Sequence, residues 1–282
     1  MMMRAALVQL NVSDDPAANL VQTQDLIARA AAGGAEFVLT PECTNMLSSV
    51  RAHQKAMIRA EEGDPTLAAL QAQARSVGIW LSIGSLGVQS GDADGRFANR
   101  SFLIAPTGEI AARYDKIHMF DVNVSETEIY RESAAYRPGA QAVLAQTPWG
   151  GVGLTVCYDL RFGYLHRALA QAGARILTVP AAFNHITGAA HWHVLLRARA
   201  IETGCFVLAS AQTGFHPEPL GGGKGRQTYG HALAVAPWGE VLADAGTDVG
   251  VTFVDLDLSQ VDAARARVPA LTHDRAFAPP QG

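Results

Sequence analysis

The chain has 282 residues, 49% of them hydrophobic and 17% charged, with a formal net charge of −4 and an isoelectric point near 6.1. That composition gives a globular protein with a large core and excludes an electrostatic case for nucleic acid or an anionic membrane. Three irregularly spaced cysteines make neither a disulfide framework nor a zinc site, and no apolar run approaches the roughly 18 residues of a membrane span, so a cytoplasmic location is expected.

Ala5–Leu10 is a short apolar strand. Asp15-Pro16 then supplies a helix cap and a first-turn proline, with Leu20, Ile27 and Ala31 at helical spacing as far as Gly33-Gly34. Phe37–Leu39 is a second strand running into Thr40-Pro41-Glu42-Cys43, and Asp64-Pro65 opens a second helix that stops at Gly78. Ile79–Leu86, Asn99–Ile104 and Ile110–Tyr114 read as strands, the last two joined by Ala105-Pro106-Thr107-Gly108-Glu109. A near-copy of that turn, Ala236-Pro237-Trp238-Gly239-Glu240, separates the apolar runs His231–Val235 and Val241–Ala243, which suggests two halves of similar build.

Between these turns, the β-branched run Val152–Val156 rises to Cys157, and Gly163–Ala172 has helical composition. Cys157 therefore sits at a strand-to-helix elbow, where backbone N–H groups and the positive end of the helix dipole are expected to lower a thiol pKa and hold an oxyanion; a buried structural thiol is the competing reading. Arg175–Val179, Cys205–Ala211 and Val251–Leu256 are further strands, and Ala189–Thr203 is a helix. About a dozen strands interleaved with helices imply an α/β fold of two packed sheets with helices outside. The expected organisation is one domain over residues 1–270 and a tail over 271–282. Two long polar segments interrupt it: Lys116–Gly139, and the glycine-rich Phe215–Gly230, which reads as a flexible flap.

A cysteine nucleophile needs a base, an oxyanion stabiliser and an orienting group. Glu42 lies just past a strand end, Lys116 follows the strand Ile110–Tyr114, and Glu132 lies ahead of Tyr136-Arg137-Pro138-Gly139. Each alone is unremarkable. Cys43 adjoins Glu42, but neighbours on an extended chain face opposite ways, so it is expected to point away from that carboxylate. Cys205 opens an apolar strand and reads as core.

Taken together, Thr40-Pro41-Glu42, Tyr114–Asp121, Glu132-Ser133 and Val156–Phe162 occur in an order that resembles the carbon–nitrogen hydrolase (nitrilase) superfamily. Ile186–Trp192, Arg197–Glu202 and Tyr229-Gly230-His231 extend the likeness, which is nearest to the branch of deaminated-glutathione amidases and ω-amidases. The resemblance implies a four-layer αββα sandwich of two mixed β-sheets flanked by helices. It also implies a Glu-Lys-Cys triad: Cys157 as nucleophile, Glu42 as general base, Lys116 with the Tyr158 N–H as oxyanion stabilisers, and Glu132 as an orienting glutamate. No cofactor is implied. The expected activity is release of ammonia from a primary amide of a carboxylate-bearing small molecule through an acyl-thioester. Deaminated glutathione is favoured over 2-oxoglutaramate or 2-oxosuccinamate. A nitrilase, an N-carbamoyl amino acid hydrolase and a catalytically silent scaffold are the other readings.

Arg161, four residues past the nucleophile, could hold a substrate carboxylate or form an ion pair with Asp159 or Glu202. Phe183, Asn184, Thr187 and His193 complete the expected substrate-binding set. His193 stands where related sequences commonly carry glutamate. His191-x-His193, with His185 nearby, is the one metal-like cluster in the sequence; residues two apart on a helix do not share a face, so no metal site is expected. A homodimer or larger assembly through Tyr164–Gly173 and Ala189–Thr203 is expected, with no nucleic-acid or membrane partner.

Overall fold

The computed structural model describes residues 1–126 and 128–280. Strand β1 (Met2–Gln9) leads to helix α1 (Pro16–Ala32), and the Asp15 carboxylate accepts hydrogen bonds from Ala17 and Ala18 N–H at its start. After β2 (Phe37–Leu39) come α2 (Arg51–Met57) and α3 (Pro65–Val77). Asp64 caps α3 through Leu67 N–H, and Gly78 ends it at φ 70°. Then follow β3 (Trp80–Gln89), β4 (Phe97–Ile104) and β5 (Ile110–Asp115).

The polar segment after β5 is built, not merely long. It holds a small hairpin, β6 (Asp121–Asn123) and β7 (Ile129–Arg131), and a 3-10 turn over Glu132–Ala134. The second half runs β8 (Val143–Thr147), β9 (Gly150–Leu154), α4 (Gly163–Gln171), β10 (Ala174–Thr178), α5 (His185–Thr203) and β11 (Phe206–Ala209). The chain continues with β12 (Thr213–His216), β13 (Arg226–Tyr229), β14 (Leu233–Val235), β15 (Val241–Asp244), β16 (Gly250–Asp257) and α6 (Ser259–Arg267). Helix α5 begins four residues before the expected Ala189, because the Asn184 side chain accepts from Ile186 and Thr187 N–H and caps it there.

Among the described residues, two six-stranded sheets have the orders β16-β1-β2-β3-β4-β5 and β15-β14-β11-β10-β9-β8. In each, three consecutive strands are parallel, two antiparallel strands extend one side, and one antiparallel strand closes the other. The similar turns sit at matching places, β4–β5 and β14–β15. Ala105 N–H donates to Glu109 O at 2.9 Å, and Ala236 N–H to Glu240 O at 2.8 Å. The expected likeness of the halves is thus a likeness of sheet order.

Inner residues of both sheets, among them Leu7, Phe37 and Leu39 with Val152, Leu154 and Ile176, form one buried core. α1 and α3 cover the first sheet's outer face through Leu26, Ile27, Leu67 and Leu70. α4 and α5 cover the second through Leu165, Leu169, Trp192 and Leu196. This is the expected αββα sandwich.

The glycine-rich segment departs from its reading as a flexible flap. Its ends pair as β12 and β13, and its tip is pinned. Glu218 accepts from Ser48 Oγ, Ser49 N–H and Ser49 Oγ at 2.8–2.9 Å, while Asp14 accepts from Leu220 and Gly221 N–H. The sequence hides these partners because they lie about two hundred residues away.

Candidate active site

Glu42, Lys116 and Cys157 follow β2, β5 and β9, and the two packed sheets bring those ends together. Two glycines permit the approach. A methyl group on Gly84 would lie 2.1 Å from Thr40 O and 2.5 Å from Pro180 Cβ, so its absence lets the Glu42 loop close on the Pro180 segment. One on Gly139 would lie 2.1 Å from Asp115 O, beside the Lys116 carbonyl that accepts the Gly139 N–H at 2.7 Å.

Cys157 is at the elbow the sequence predicts, opening a 3-10 turn ahead of α4. Its φ of 49° is unfavourable for a side-chain-bearing residue, and its N–H is held by Pro180 O at 2.9 Å. Buried Asp159 braces the same elbow. It accepts from Val156 N–H at 2.8 Å, Tyr114 Oη at 2.7 Å and His118 N–H at 3.1 Å, tying the nucleophile loop to the segment that carries Lys116. Asp159 therefore serves the elbow rather than Arg161, and Glu202 pairs with Arg199.

The charged groups form a buried cluster. Lys116 Nζ lies 2.9 Å from Glu42 Oε1 and 3.0 and 2.8 Å from the two Glu132 oxygens. Asn99, which the sequence does not single out, donates to both Glu42 (2.9 Å) and Glu132 (3.2 Å). Ala182 N–H fixes the other Glu42 oxygen at 2.8 Å, and Phe120 N–H fixes Glu132 at 2.7 Å. Lys116 is only 2% exposed and Glu42 4%.

Burial alone would raise the Glu42 carboxyl, but the Lys116 ammonium overrides it and holds the group below its ordinary range. Burial would likewise lower Lys116, and the Glu132 and Glu42 carboxylates instead hold it well above its ordinary value. The elbow does not lower the Cys157 thiol as the sequence suggests: burial raises it well above the usual cysteine value, and the Glu42 carboxylate raises it further. The resting site thus holds a carboxylate, an ammonium and a neutral thiol. Such a set can take the thiol proton while a carbonyl is attacked and can stabilise the oxygen that becomes negative.

These groups line a cavity of about 580 Å³ that also receives Tyr158, Phe183 and Asn184 from the expected substrate-binding set. The Asn184 amide is engaged there with Glu128 at 2.6 Å and Tyr130 Oη at 3.3 Å. Arg161 lies outside the lining, over the Tyr158 and Phe183 rings and 3.3 Å from His191 Nδ1. Thr187 lies on the first turn of α5, and His193 bonds Asp244 at 2.9 Å; neither lines the cavity. His191 and His193 diverge, as helical spacing requires.

Cys43 corrects an expectation. The chain past Leu39 turns instead of staying extended, with φ 58° at Cys43, so this residue lines the same cavity as Glu42. Burial pushes its thiol far above the usual range, with Glu42 adding to the rise. The cavity also receives Arg51, Arg131 and Arg226, none of which the sequence singles out. Among the described residues none of the three has a carboxylate ion-pair partner, and the buried Arg226 Nε has no hydrogen-bond partner. Arginine is so common on surfaces that only the fold distinguishes these three.

Residues 4–266 match the family model described as carbon-nitrogen hydrolase. A deaminated glutathione amidase of Yersinia enterocolitica is 38% identical over 271 residues, covering 96% of this chain and 92% of that one. The crystal structure of the NitFhit protein of C. elegans superposes with a TM-score of 0.87 at 34% identity, covering 97% of this chain and 65% of that one, so this chain spans just under two thirds of it. A mutant of the amidase from Nesterenkonia sp. AN1, described as showing Michael addition of acrylamide at its active-site cysteine, gives a TM-score of 0.76 at 30% identity, covering 95% and 98%. The sandwich, the match across nearly the whole sequence and these relatives agree: the chain belongs to the carbon-nitrogen hydrolase family and is a hydrolase of carbon–nitrogen bonds other than peptide bonds.

Proposed function

We propose that this chain is a cysteine amidase of carboxylate-bearing small molecules, with deaminated glutathione the first candidate. The observation that carries the substrate class is the trio Arg51, Arg131 and Arg226, cations without ion partners among the described residues, around a cavity already holding a nucleophile. Guanidinium groups without a carboxylate partner favour planar anions, and carboxylates are the anions an amidase substrate of this kind offers. The curated relative's name points the same way.

In this reading Glu42 accepts the Cys157 proton as sulfur bonds to the amide carbon. Negative charge passes to the carbonyl oxygen, which Lys116 and the Tyr158 N–H stabilise. The protonated Glu42 gives its proton to the nitrogen, the carbon–nitrogen bond breaks, and an acyl-thioester remains. Water then gives a proton to Glu42 and attacks the thioester, and the departing sulfur recovers that proton. Glu132 and Asn99 fix the ammonium and the base. From 2-oxoglutaramate the departing nitrogen is ammonia. The amides of deaminated glutathione are secondary, so its cleavage frees an amine, and the expected release of ammonia from a primary amide applies only to the 2-oxo acid monoamides.

The test is a substrate panel of deaminated glutathione, 2-oxoglutaramate, a neutral amide, a nitrile and an N-carbamoyl amino acid, read for both amine and ammonia. Cys157→Ala is run alongside. Turnover of one of the two anionic amides, lost in the folded variant, is expected. Turnover confined to the neutral amide, nitrile or carbamoyl compound would overturn the substrate class, and more than about a hundredth of wild-type activity in Cys157→Ala would remove Cys157 as nucleophile.

A further inference from the structure

Outside the amidase cavity, three side chains from separate elements converge. His193 comes from α5, His231 from the turn into β14, and Asp244 from the end of β15. His193 Nε2 lies 2.9 Å from Asp244 Oδ2, and His231 Nδ1 lies 2.9 and 3.1 Å from the two Asp244 oxygens. One donor atom from each lies within 4.8 Å of the others, and none of the three residues lines the amidase cavity. We propose that His193, His231 and Asp244 bind one divalent transition-metal ion of the zinc, cobalt or nickel class.

The donors choose the class. Two imidazole nitrogens and one carboxylate oxygen suit borderline ions, whereas magnesium and calcium require mostly oxygen. Two ligands about 2.1 Å from one ion at roughly right angles lie about 3 Å apart, so the observed nitrogen–oxygen separations need little adjustment. The side chains are a quarter to a third exposed (His231 24%, His193 33%, Asp244 34%), which leaves an entry path and room for water as remaining ligands.

The supporting contacts hold each ligand in place. His231 has φ 57°, its N–H donates to Gly246 O at 2.7 Å, and its carbonyl accepts from the buried Trp192 Nε1 at 2.8 Å. Its ring stacks on Tyr229, with centroids 4.5 Å apart. Asp244 Oδ1 accepts from Gly246 N–H at 2.9 Å. Outer contacts of this kind orient ligands and strengthen metal binding. The ion would join α5 to the β14–β15 hairpin behind Tyr229, whose N–H holds Phe183 O at 3.0 Å in the cavity wall.

The experiment uses the full chain without a histidine tag, stripped with chelator and titrated with Co²⁺ and Zn²⁺ at pH 7.5. Calorimetry and the visible Co²⁺ spectrum are the readouts. One equivalent is expected to bind wild type and Cys157→Ala alike, which separates this site from the active-site thiol. His193→Ala and Asp244→Asn should each weaken binding at least tenfold, since each removes one of the three protein ligands. Two variants are used so that a folding defect in one, read from its melting curve, leaves the other decisive. Undiminished binding in both variants, loss of binding in Cys157→Ala, or no binding to wild type at about 0.1 mM ion would overturn the proposal.

Discussion

The Lys116 ammonium sits in the fork of the Glu132 carboxylate, 3.0 and 2.8 Å from its two oxygens, while Glu42 takes the remaining side at 2.9 Å. One ammonium is therefore shared by two carboxylates, and Glu132 moderates how strongly Lys116 attracts Glu42. Glu132→Gln should lower kcat by about two to three orders of magnitude with a much smaller change in KM. It should also shift the acid limb of kcat/KM to lower pH, because Glu42 then faces the ammonium without a neighbouring negative charge. Steady-state kinetics across pH reads both effects, and an unmoved acid limb would reduce Glu132 to a packing role.

The neutral thiol gives a second expectation. Burial and Glu42 hold Cys157 well above the ordinary cysteine value, so no thiolate belonging to it should form below about pH 8.5 in the free enzyme. The difference in 240 nm absorbance between wild type and Cys157→Ser should stay flat from pH 5 to about that value. A thiolate step near neutrality would instead indicate a preformed ion pair at the site.

The two candidate anchors for a substrate carboxylate can be separated. Arg226 lines the cavity with a buried, unpartnered Nε, while Arg161 lies outside it against His191. Arg226→Gln should raise KM for a carboxylate-bearing amide at least about tenfold, as loss of a charge-assisted hydrogen bond does, and for a neutral analogue less than about twofold. Arg161→Gln should have the smaller selective effect. The reverse ranking would return the role to Arg161.

Two buried histidines make stability depend on pH. Burial lowers both His166 and His216 to about 4. An unfolded histidine titrates near 6.5, so between about pH 6.5 and 4 the unfolded chain binds more protons than the folded one, and stability falls as pH falls. Each group contributes a slope of about 1.4 kcal/mol per pH unit in that window. Urea unfolding at pH 7.5 and 5.0 should show the loss, and His216→Gln should reduce it. Equal pH dependence in that variant would mean that His216 protonates in the folded state. His216 bonds Val12 O and Thr228 Oγ1, so its protonation would also loosen the pinned β12–β13 hairpin.

The order of elements was legible because its signals are local. Asp-Pro at two helix starts, glycine at their ends, β-branched runs and two matching hairpin turns each act within a few residues. Cys157, Glu42, Lys116 and Glu132 stood out through short motifs in a fixed order, and the structure brings all four to one cavity. What sequence alone could not supply was the other side of each contact. Asn99 and Ala182 hold Glu42, Asp159 braces the elbow, and Gly84 admits a neighbouring loop, each through a partner more than forty residues distant. The misplaced Cys43 and the supposedly flexible glycine-rich segment share this cause: an extended-chain rule fails where a turn intervenes, and a polar loop looks free until its distant anchors are known. Local chemistry determined the elements and the reactive residue types. Only tertiary packing decided which charges meet, which arginines face the cavity, and which histidines share one aspartate, because those pairings depend on strand order across two sheets.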